Sequence, residues 1–583
     1  MGSSSYWKMS KNQIIRKINL HLLLIVLIIF CIFEYGIQKI CSFTLYPDEF
    51  GYWASAASVV GYDWSEVASL GSYYSFGYSL ILIPILKIFS DGVAAYRAAV
   101  FINMLLMCVG VFLFGRLIEG IFPGIKTGVK VLVSGTAALY PAWIFYMQMT
   151  MTEALLMFVF TLTVYLFYRF MEKQRISTAI ALAALLIYGY CVHMRTVGVV
   201  IACVLVCLYR LIREKGNRKA LFIWFGAVVL LCGLAFYLKD HTVATVYSYA
   251  EENALAGNDY GGQWGKIAKI FTLAGMEKFM WSVLGKLYYL GIASFGTFYW
   301  ALYWCLQESL RLIKTKKEET QPGQWLALFL LLAVVGQVLI CSIYMYSPKK
   351  IDGLVYGRYN ELFVPVTMMI GIMVMSRSRF PVRTTIAIGT ALGGVTFLLL
   401  HVVKKWDMRG IRGYHAAGIS YLLPESNLDV PVFFRNTWLL GFGLMLLVCA
   451  FVWLGRWRAS TWWLYAGILV IEIAAGLQIS SHYTYEVNCV TFENEMIAEL
   501  LQEKSGEDIS ILYLDEGSDP FVDFLQMQIP ETAIHVITEN ELTSIEGQDY
   551  LVITDMKTEQ DEVLKQIFDK KVTTNLFCVY YNL

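Results

Sequence analysis

The sequence predicts an all-α polytopic membrane protein with a small soluble α/β domain at its C-terminus. Of the 583 residues, 57% are hydrophobic and only 16% are charged. The apolar residues come in repeated runs near 20 residues long, the length that a helix needs to cross the hydrocarbon layer of a bilayer. The charge is uneven, because residues 481–583 carry 21 Asp and Glu against 5 Lys and no Arg.

Thirteen apolar segments are predicted to span the membrane. The first is long and lacks a small-residue cleavage site, so it is interpreted as a signal anchor. The spans lie at about 18–40, 95–117, 129–147, 152–171, 177–193, 196–212, 220–238, 284–310, 324–345, 359–376, 384–403, 436–455 and 461–479.

The basic residues predict the orientation of these spans. Placing the N-terminus inside also puts most later Lys and Arg clusters inside, as the positive-inside rule requires. This holds if Tyr73–Ser90 does not cross; it is short and contains Pro84, so we expect an interfacial or re-entrant segment. This orientation gives two long outer loops, at about 41–94 and 239–283. We expect the helices of the first outer loop to lie on the bilayer surface.

The predicted domains are residues 1–480 in the membrane and residues 481–583 outside it. The tail alternates β-rich runs ("ISILYLD", "AIHVIT", "YLVITD", "FCVYYNL") with helical patterns ("FENEMIAELLQEK", "EQDEVLKQIFDKK"). Cys489 and Cys578 both lie in the tail and are candidates for a disulfide, although no spacing requires one. No nucleic-acid partner is expected.

Three outer-face carboxylates are candidate catalytic groups. "LYPDEFGYW" places Asp48 and Glu49 just outside the first span, and "TEALL" places Glu153 at the outer start of the fourth. Asp48 is the candidate base for an acceptor hydroxyl, because a positioned carboxylate can accept its proton. Two structural alternatives stay open: Asp48 as a helix N-cap, and Glu153 as a helix N-terminal carboxylate.

Basic outer residues are candidates for binding an anionic group. Outer loops rich in Lys and Arg work against the orientation rule, so a phosphate-bearing ligand is one explanation and attraction to anionic lipid is the other. The phosphate candidates are Arg195, Lys349, Lys350 and Arg358. Further residues predicted near the substrate cavity are Tyr52, Trp53, His193, His241 and Tyr359. The stretch Asn258–Gly265 is a candidate flexible lid or linker.

These features together resemble one family. The following features occur in this order along the chain: an acidic pair after the first span, a "TEALL" acid, an Arg near the fifth–sixth span junction, "RYNELFVPV" before a later span, and an outer tail. The chain from residue 18 to about 480 resembles the GT-C superfamily of polyprenyl-phosphate-sugar glycosyltransferases. The similarity is greatest to the branch of aminoarabinose transferases and protein O-mannosyltransferases.

The resemblance implies a function. Members move a sugar from a polyprenyl phosphate to an acceptor on the outer face, usually with inversion. For this chain it implies a multi-pass protein of a bacterial plasma membrane, with membrane lipids around it and a lipid, polysaccharide or protein as acceptor. Asp48 corresponds to the family's first-loop acid, Glu49 to its neighbour and Glu153 to its second-loop acid. Some members hold a divalent metal between such acids, so Asp48 and Glu153 are the candidate metal ligands.

The sequence departs from the family in two places. "DEFGYW" has no Arg after the acidic pair, and "YYSFGYSL" stands where aminoarabinose transferases carry Lys-Pro-Pro. Two other functions remain as alternatives. A transporter or flippase of lipid-linked glycans would be expected to show inverted repeats and broken helices, which the sequence does not display. A non-catalytic scaffold with an outer binding domain would leave Asp48–Glu49 unexplained.

The orientation can be tested by cysteine labelling in a variant without native cysteines. We expect an impermeant thiol reagent to label a cysteine placed at Asp519 in intact cells, and not one at Lys316, because the positive-inside rule puts the tail outside. Labelling at 316 with none at 519 would reverse the orientation.

Overall fold

The computed structural model describes residues 11–44, 46–213, 218–250, 264–316, 319–423, 429–456, 460–488, 495–505, 509–517, 522–542, 545 and 549–582. Cys489, Asp519 and all but the last two residues of the predicted lid Asn258–Gly265 lie outside these ranges. The exposed Lys557 is a described tail position that serves the labelling experiment equally well.

Helices make up the membrane part of the chain. The first eleven are α1 Lys11–Ile37, α2 Asp48–Val60, α3 Ser65–Ser69, α4 Ser79–Ile88, α5 Gly92–Ile121, α6 Thr127–Ala138, α7 Pro141–Met147, α8 Thr152–Lys173, α9 Ile176–Val192, α10 Val197–Arg213 and α11 Lys219–Val246. The next ten are α12 Trp264–Ile270, α13 Leu273–Ala293, α14 Thr297–Lys314, α15 Pro322–Tyr344, α16 Ile351–Leu354, α17 Val364–Arg377, α18 Pro381–Lys405, α19 Ala417–Ser420, α20 Val430–Gly455 and α21 Ala466–Ser480. Single turns of 3₁₀ or π-helix occur at Met194–Thr196, Glu361–Phe363, Gly413–Ala416, Trp462–Tyr465 and Ser481–Tyr485.

The polytopic helical fold is confirmed. Among the described residues, nine helices are long and apolar enough to cross a bilayer, and α6 with α7 makes a tenth if this pair, bent by 57°, is one span. Pro141 opens α7 at the bend. The other three predicted spans fall on shorter or interrupted helices, so the count of 13 stays a prediction.

One predicted span is wrong, because it is not a single helix. The segment 284–310 was expected to be a single helix, but the chain breaks between α13 and α14 at Ser294–Gly296. Phe295 and Gly296 have φ values of 52° and 75°, the left-handed conformation that ends a helix. The apolar pattern runs through the break, which is why composition does not show it. Helices α11 and α13 also extend into the predicted loop 239–283.

The first outer loop is more buried than the sequence suggests. Helix α2 was expected on the bilayer surface, but nine of its residues, from Glu49 to Ala57, are buried. Gly51 allows this packing, since a Cβ there would lie 2.1 Å from the ring of Tyr74. Helix α4 has only ten residues and is about 15 Å long, half the hydrocarbon thickness. It is therefore too short to cross, as predicted for Tyr73–Ser90.

The C-terminal domain is built on one mixed sheet. Its strands are β1 Ser510–Leu514, β2 Ile534–Ile537, β3 Tyr550–Asp555, β4 Lys570–Thr573 and β5 Phe577–Tyr581, in the order β2-β1-β3-β5-β4. The strands β2, β1 and β3 are parallel, and β5 runs antiparallel to β3 and β4. Its helices are α22 Glu495–Lys504, α23 Val522–Gln528, α24 Glu539–Leu542 and α25 Asp561–Ile567. The predicted helix at 559–571 is therefore too long, because its last residues begin β4.

This domain rests on the first outer loop. The indole nitrogen of Trp64 donates to the carbonyl of Pro530 at 2.9 Å. The Glu66 carboxylate accepts from the Val536 amide at 2.7 Å and contacts Nδ1 of His535 at 2.9 Å. Val536 lies on β2, an edge strand, so Glu66 satisfies an amide that the sheet leaves free. The site-bearing loop and the tail are thus directly connected.

Substituting Glu66 tests this contact. Glu66→Ala removes the acceptor, and hydrogen bonds to charged groups contribute about 1.5–3 kcal/mol. We expect faster amide hydrogen exchange in a peptide covering 529–542, measured by mass spectrometry on the full chain. Glu562→Ala removes a glutamate that is 85% exposed on the same domain and should leave that peptide unchanged. Identical exchange in the two variants would show that Glu66 does not hold the edge strand.

Candidate active site

The site is organised around a buried arginine held by two carboxylates. Arg358 Nε donates to Glu153 Oε1 at 2.6 Å, and its NH2 group pairs with Asp48 Oδ2. The side chains of Arg358 and Glu153 are 5% and 2% exposed, whereas that of Asp48 is 20% exposed. Of the two carboxylates, Asp48 is therefore the one that faces open space.

Local structure explains where the two carboxylates point. Asp48 is the first residue of α2, and Glu153 is the second residue of α8. The N-cap positions are Pro47 and Met151, which make no side-chain cap. Asp48 thus does not act as the N-cap that the sequence left open. Both carboxylates lie in the first turn, where the helix dipole favours negative charge, and both turn towards Arg358.

Arg358 stays charged in this setting. Burial opposes its ionisation, but the Asp48 and Glu153 carboxylates raise its pKa well above the usual value. Its guanidinium also lies 4.8 Å from the ring centre of Tyr46. An arginine with planar, directional donors suits two carboxylates at once, which a lysine would not.

A cavity of about 260 Å³ opens beside Asp48 and Arg358. Its walls come from the first outer loop, from the junction of α9 and α10, and from the turn before α17. The lining residues are Asp48, Tyr52, Ser72, Tyr73, Tyr74, Ser75, His193, Met194, Arg195, Arg358 and Tyr359. The structure thus brings together six of the residues that the sequence singled out.

Arg195 is the second cation of the cavity. Its guanidinium carbon lies 3.6 Å from the ring centre of Tyr359 and 4.5 Å from that of Tyr344. NH1 lies 3.4 Å from Nε2 of His193, and the buried Nε has no hydrogen-bond partner in the described part of the chain. Since no described carboxylate pairs with it, Arg195 is better placed than Arg358 to meet an anion.

Glu49 sits in a different environment from its neighbour Asp48. It is fully buried and accepts five hydrogen bonds of 2.6–2.9 Å, from Tyr96 and from the amides and hydroxyls of Thr44 and Thr150. Burial raises its pKa, although these donors oppose the rise. Glu49 does not line the cavity, and its contacts tie α2 to the start of α8.

Other predicted residues lie away from the cavity. Trp53 is buried and donates to the Thr150 hydroxyl at 3.1 Å, which makes it part of the support for α2. His241 is exposed near the end of α11, and Lys349 and Lys350 are exposed on the loop after α15. None of these four residues lines the cavity.

The residues do not fit a metal ion bridging Asp48 and Glu153. The guanidinium of Arg358 already occupies the position between the two carboxylates. In the described ranges, no group of three or more His, Cys, Asp or Glu side chains has an arrangement that could hold a metal. The arginine provides the positive charge that a cation would otherwise bring to this pair.

Sequence reasoning missed the aromatic walls of the site. Tyr73 and Tyr74 line the cavity. Tyr46 lies against Arg358, and Tyr344 lies against Arg195. The tyrosine-rich stretch "YYSFGYSL" was the available signal. That stretch predicts an interfacial segment and departs from a Lys-Pro-Pro element, but the spacing of its tyrosines does not show which rings face a ligand.

Comparisons with known proteins identify the fold. No protein-family model matches the chain, and no curated protein matches it in sequence. Among solved structures, it is similar to ArnT from Cupriavidus metallidurans in the apo state, with a TM-score of 0.51 and 12% identity over 96% of this chain and 97% of that one. The chain has a GT-C fold.

Two further matches are weaker. ArnT from Cupriavidus metallidurans bound to undecaprenyl phosphate gives a TM-score of 0.49 at 11% identity, covering 96% of this chain and 98% of that one. The archaeal oligosaccharyltransferase AglB from Archaeoglobus fulgidus, in complex with an inhibitory peptide and a dolichol-phosphate, gives 0.39 at 10% identity, covering 93% and 70%. The match to ArnT in the apo state confirms the GT-C fold that the sequence suggested.

The ion pairs of Arg358 can be tested by stability. Arg358→Met keeps only the unbranched apolar part of the side chain and leaves the buried Glu153 and the partly exposed Asp48 without their cation. Removing one partner of a buried ion pair typically costs about 3–5 kcal/mol. We expect a clear fall in the thermal unfolding midpoint of the purified protein.

The matched control is Arg409→Met. Arg409 pairs with Asp407 at 3.0 Å, but both side chains are more than 75% exposed. Such surface pairs contribute about 0–1 kcal/mol, so this midpoint should hardly change. Equal midpoints for the two variants would contradict the central role of Arg358.

Proposed function

We propose that this chain is a membrane glycosyltransferase that moves a sugar from a polyprenyl-phosphate donor to an acceptor on the outer face of the plasma membrane. The observation that carries the proposal is the pairing of a carboxylate and two arginines in one cavity. Asp48 provides a proton acceptor, while Arg195 and Arg358 provide positive charge within the same walls.

The donor phosphate is assigned to the Arg195 side of the cavity. Its charge needs cationic contacts when the sugar departs, and such preorganised contacts stabilise the leaving group. Arg195 is the principal candidate, because its side chain is held on two tyrosine rings rather than by a carboxylate. Arg358 contributes to the same positive wall. Lys349 and Lys350 would act only at longer range, from the loop that precedes Arg358.

A shallow apolar groove of about 20 Å³ near the cavity supports one direction in which a prenyl chain would leave the site. It lies between α8, α9 and α10 and is lined by Leu156, Val159, Phe160, Thr163, Leu185, Leu186, Gly189, Thr196, Val199 and Leu362. Thr196 follows Arg195 directly in the chain. A lipid phosphate bound at Arg195 would therefore have an apolar surface next to it for its tail.

The chemical step follows from this arrangement. The acceptor hydroxyl oxygen forms a bond to the anomeric carbon while its proton passes to the Asp48 carboxylate. The bond from that carbon to the phosphate oxygen breaks, and its electron pair leaves with the phosphate. One displacement from the opposite side inverts the anomeric centre. Arg358 orients Asp48 and Glu153 holds Arg358, so Glu153 is a positioning residue.

The acceptor is a lipid, a polysaccharide or a protein. A mass-spectrometric comparison of surface glycans from cells with and without the gene tests the function and names the product. A structure lost on deletion and restored by the intact gene supports the proposal, whereas identical glycans contradict it.

Asp48→Asn tests the assigned base. Asn keeps the shape but is a poor proton acceptor, and positioned bases contribute about 10²–10⁴ in rate. Returned to the deletion strain, this variant should fail to restore the missing glycan. The purified variant should stay folded and bind undecaprenyl phosphate, because Glu153 still pairs with Arg358.

Two further variants serve as comparisons for Asp48→Asn. Asp407→Asn changes an exposed acid and should restore the glycan fully. Arg195→Gln should weaken binding of undecaprenyl phosphate instead. Full activity of Asp48→Asn would remove Asp48 as the base and leave the base role with another carboxylate.

A further inference from the structure

A buried aspartate and a histidine lie behind the cavity, outside the machinery described so far. Asp352 Oδ2 and His415 Nδ1 are 2.5 Å apart, and their side chains are 4% and 18% exposed. A carboxylate only accepts hydrogen bonds, so the hydrogen of this contact is on Nδ1. Asp352 thereby fixes both the tautomer and the orientation of the imidazole.

A chain of aromatic rings connects the imidazole to the cavity's two arginines. Its ring centre lies 5.1 Å from that of Tyr356, the Tyr356 ring centre lies 4.5 Å from that of Tyr359, and Arg195 lies on Tyr359. It also lies 6.3 Å from Tyr46, the ring beneath Arg358. His415 is thus one or two rings away from each cation.

The backbone of His415 adds a second connection. Its carbonyl accepts the amides of Gly357 at 3.1 Å and of Arg358 at 3.3 Å. The carbonyl of its neighbour Tyr414 accepts the Tyr46 hydroxyl at 2.8 Å. The segment around His415 therefore fixes the main chain at Arg358 and the ring below its guanidinium.

We propose that Asp352 and His415 are positioning residues that hold Arg195 and Arg358 in place for the donor phosphate. The Nδ1 hydrogen bond orients the imidazole, and the imidazole supports Tyr46 directly and Tyr359 through Tyr356. Tyr46 and Tyr359 are the rings against which Arg358 and Arg195 lie. The inference rests on the proposed function for its ligand. Its effect is on phosphate affinity, since neither residue lines the cavity.

Two substitutions of His415 separate this role from simple packing. The amide nitrogen of Asn occupies nearly the position of Nδ1, so His415→Asn keeps the donor to Asp352. The amide of Gln corresponds to Nε2, so His415→Gln loses that donor. The matched control is His482→Gln, because His482 forms an exposed pair with Glu486 at 3.0 Å, away from the cavity.

Affinity for undecaprenyl phosphate is measured with the purified full chain in nanodiscs. We expect His415→Gln to weaken binding about tenfold or more, as loss of an orienting partner does in other sites. His415→Asn loses the ring but keeps the donor to Asp352, so it should weaken binding clearly less. Unchanged affinity in His415→Gln, or an equal loss in His415→Asn, would overturn the proposal. If the wild type binds undecaprenyl phosphate and Arg195→Gln does not, the donor site is assigned correctly.

A second readout needs no ligand. Amide exchange in a peptide covering 355–360 reports on Gly357 and Arg358, which donate to the His415 carbonyl. It should become faster in His415→Gln, change less in His415→Asn and stay unchanged in His482→Gln. If wild type fails to bind undecaprenyl phosphate, the assigned donor is wrong, and this exchange still decides whether His415 positions Arg358. Equal exchange in all variants would refute it.

Discussion

The contact of Arg358 with Asp48 and Glu153 is the interaction on which the rest of the site depends. Burying charges is costly unless each finds a partner in good geometry. Here one guanidinium serves two carboxylates, and each carboxylate begins a different helix. The pairing therefore fixes α2 against α8 and the turn before α17 against both. It also leaves Asp48 partly exposed to the cavity, which is the property that the proposed chemistry uses.

Aromatic rings lie against both arginines of the cavity, and for Arg195 they take the place of a carboxylate partner. Arg195 lies on Tyr359 and Tyr344, and Arg358 lies over Tyr46. A ring face attracts a cation without neutralising its charge. An arginine held in this way remains able to bind a phosphate, whereas one paired only with carboxylates is largely compensated. The proposed division of roles between Arg195 and Arg358 rests on this difference.

The first outer loop is held from two sides. Glu49 accepts hydrogen bonds from Thr44 and Thr150 on one side of the loop. On the other side, Glu66 accepts a hydrogen bond from the edge strand of the C-terminal domain. Helix α2 has one glycine, Gly51, and a run of small residues at Ala54–Ala57, and these contacts help to fix its position. The acidic tail thus contributes to the placement of Asp48, although none of the tail residues that the structure describes lines the cavity.

The sequence alone determined the polytopic helical class, most helix positions, the sheet-containing tail and the acidic pair after the first apolar helix. These follow from local signals: apolar length, residue periodicity and charge. Only the tertiary structure decided the break at Ser294–Gly296, the different environments of Asp48 and Glu49, and the contact of His415 with Asp352. Arg358 meets Glu153 and Asp48 across 205 and 310 positions of chain. Such contacts depend on how helices pack against one another, and no local pattern of residues specifies that packing.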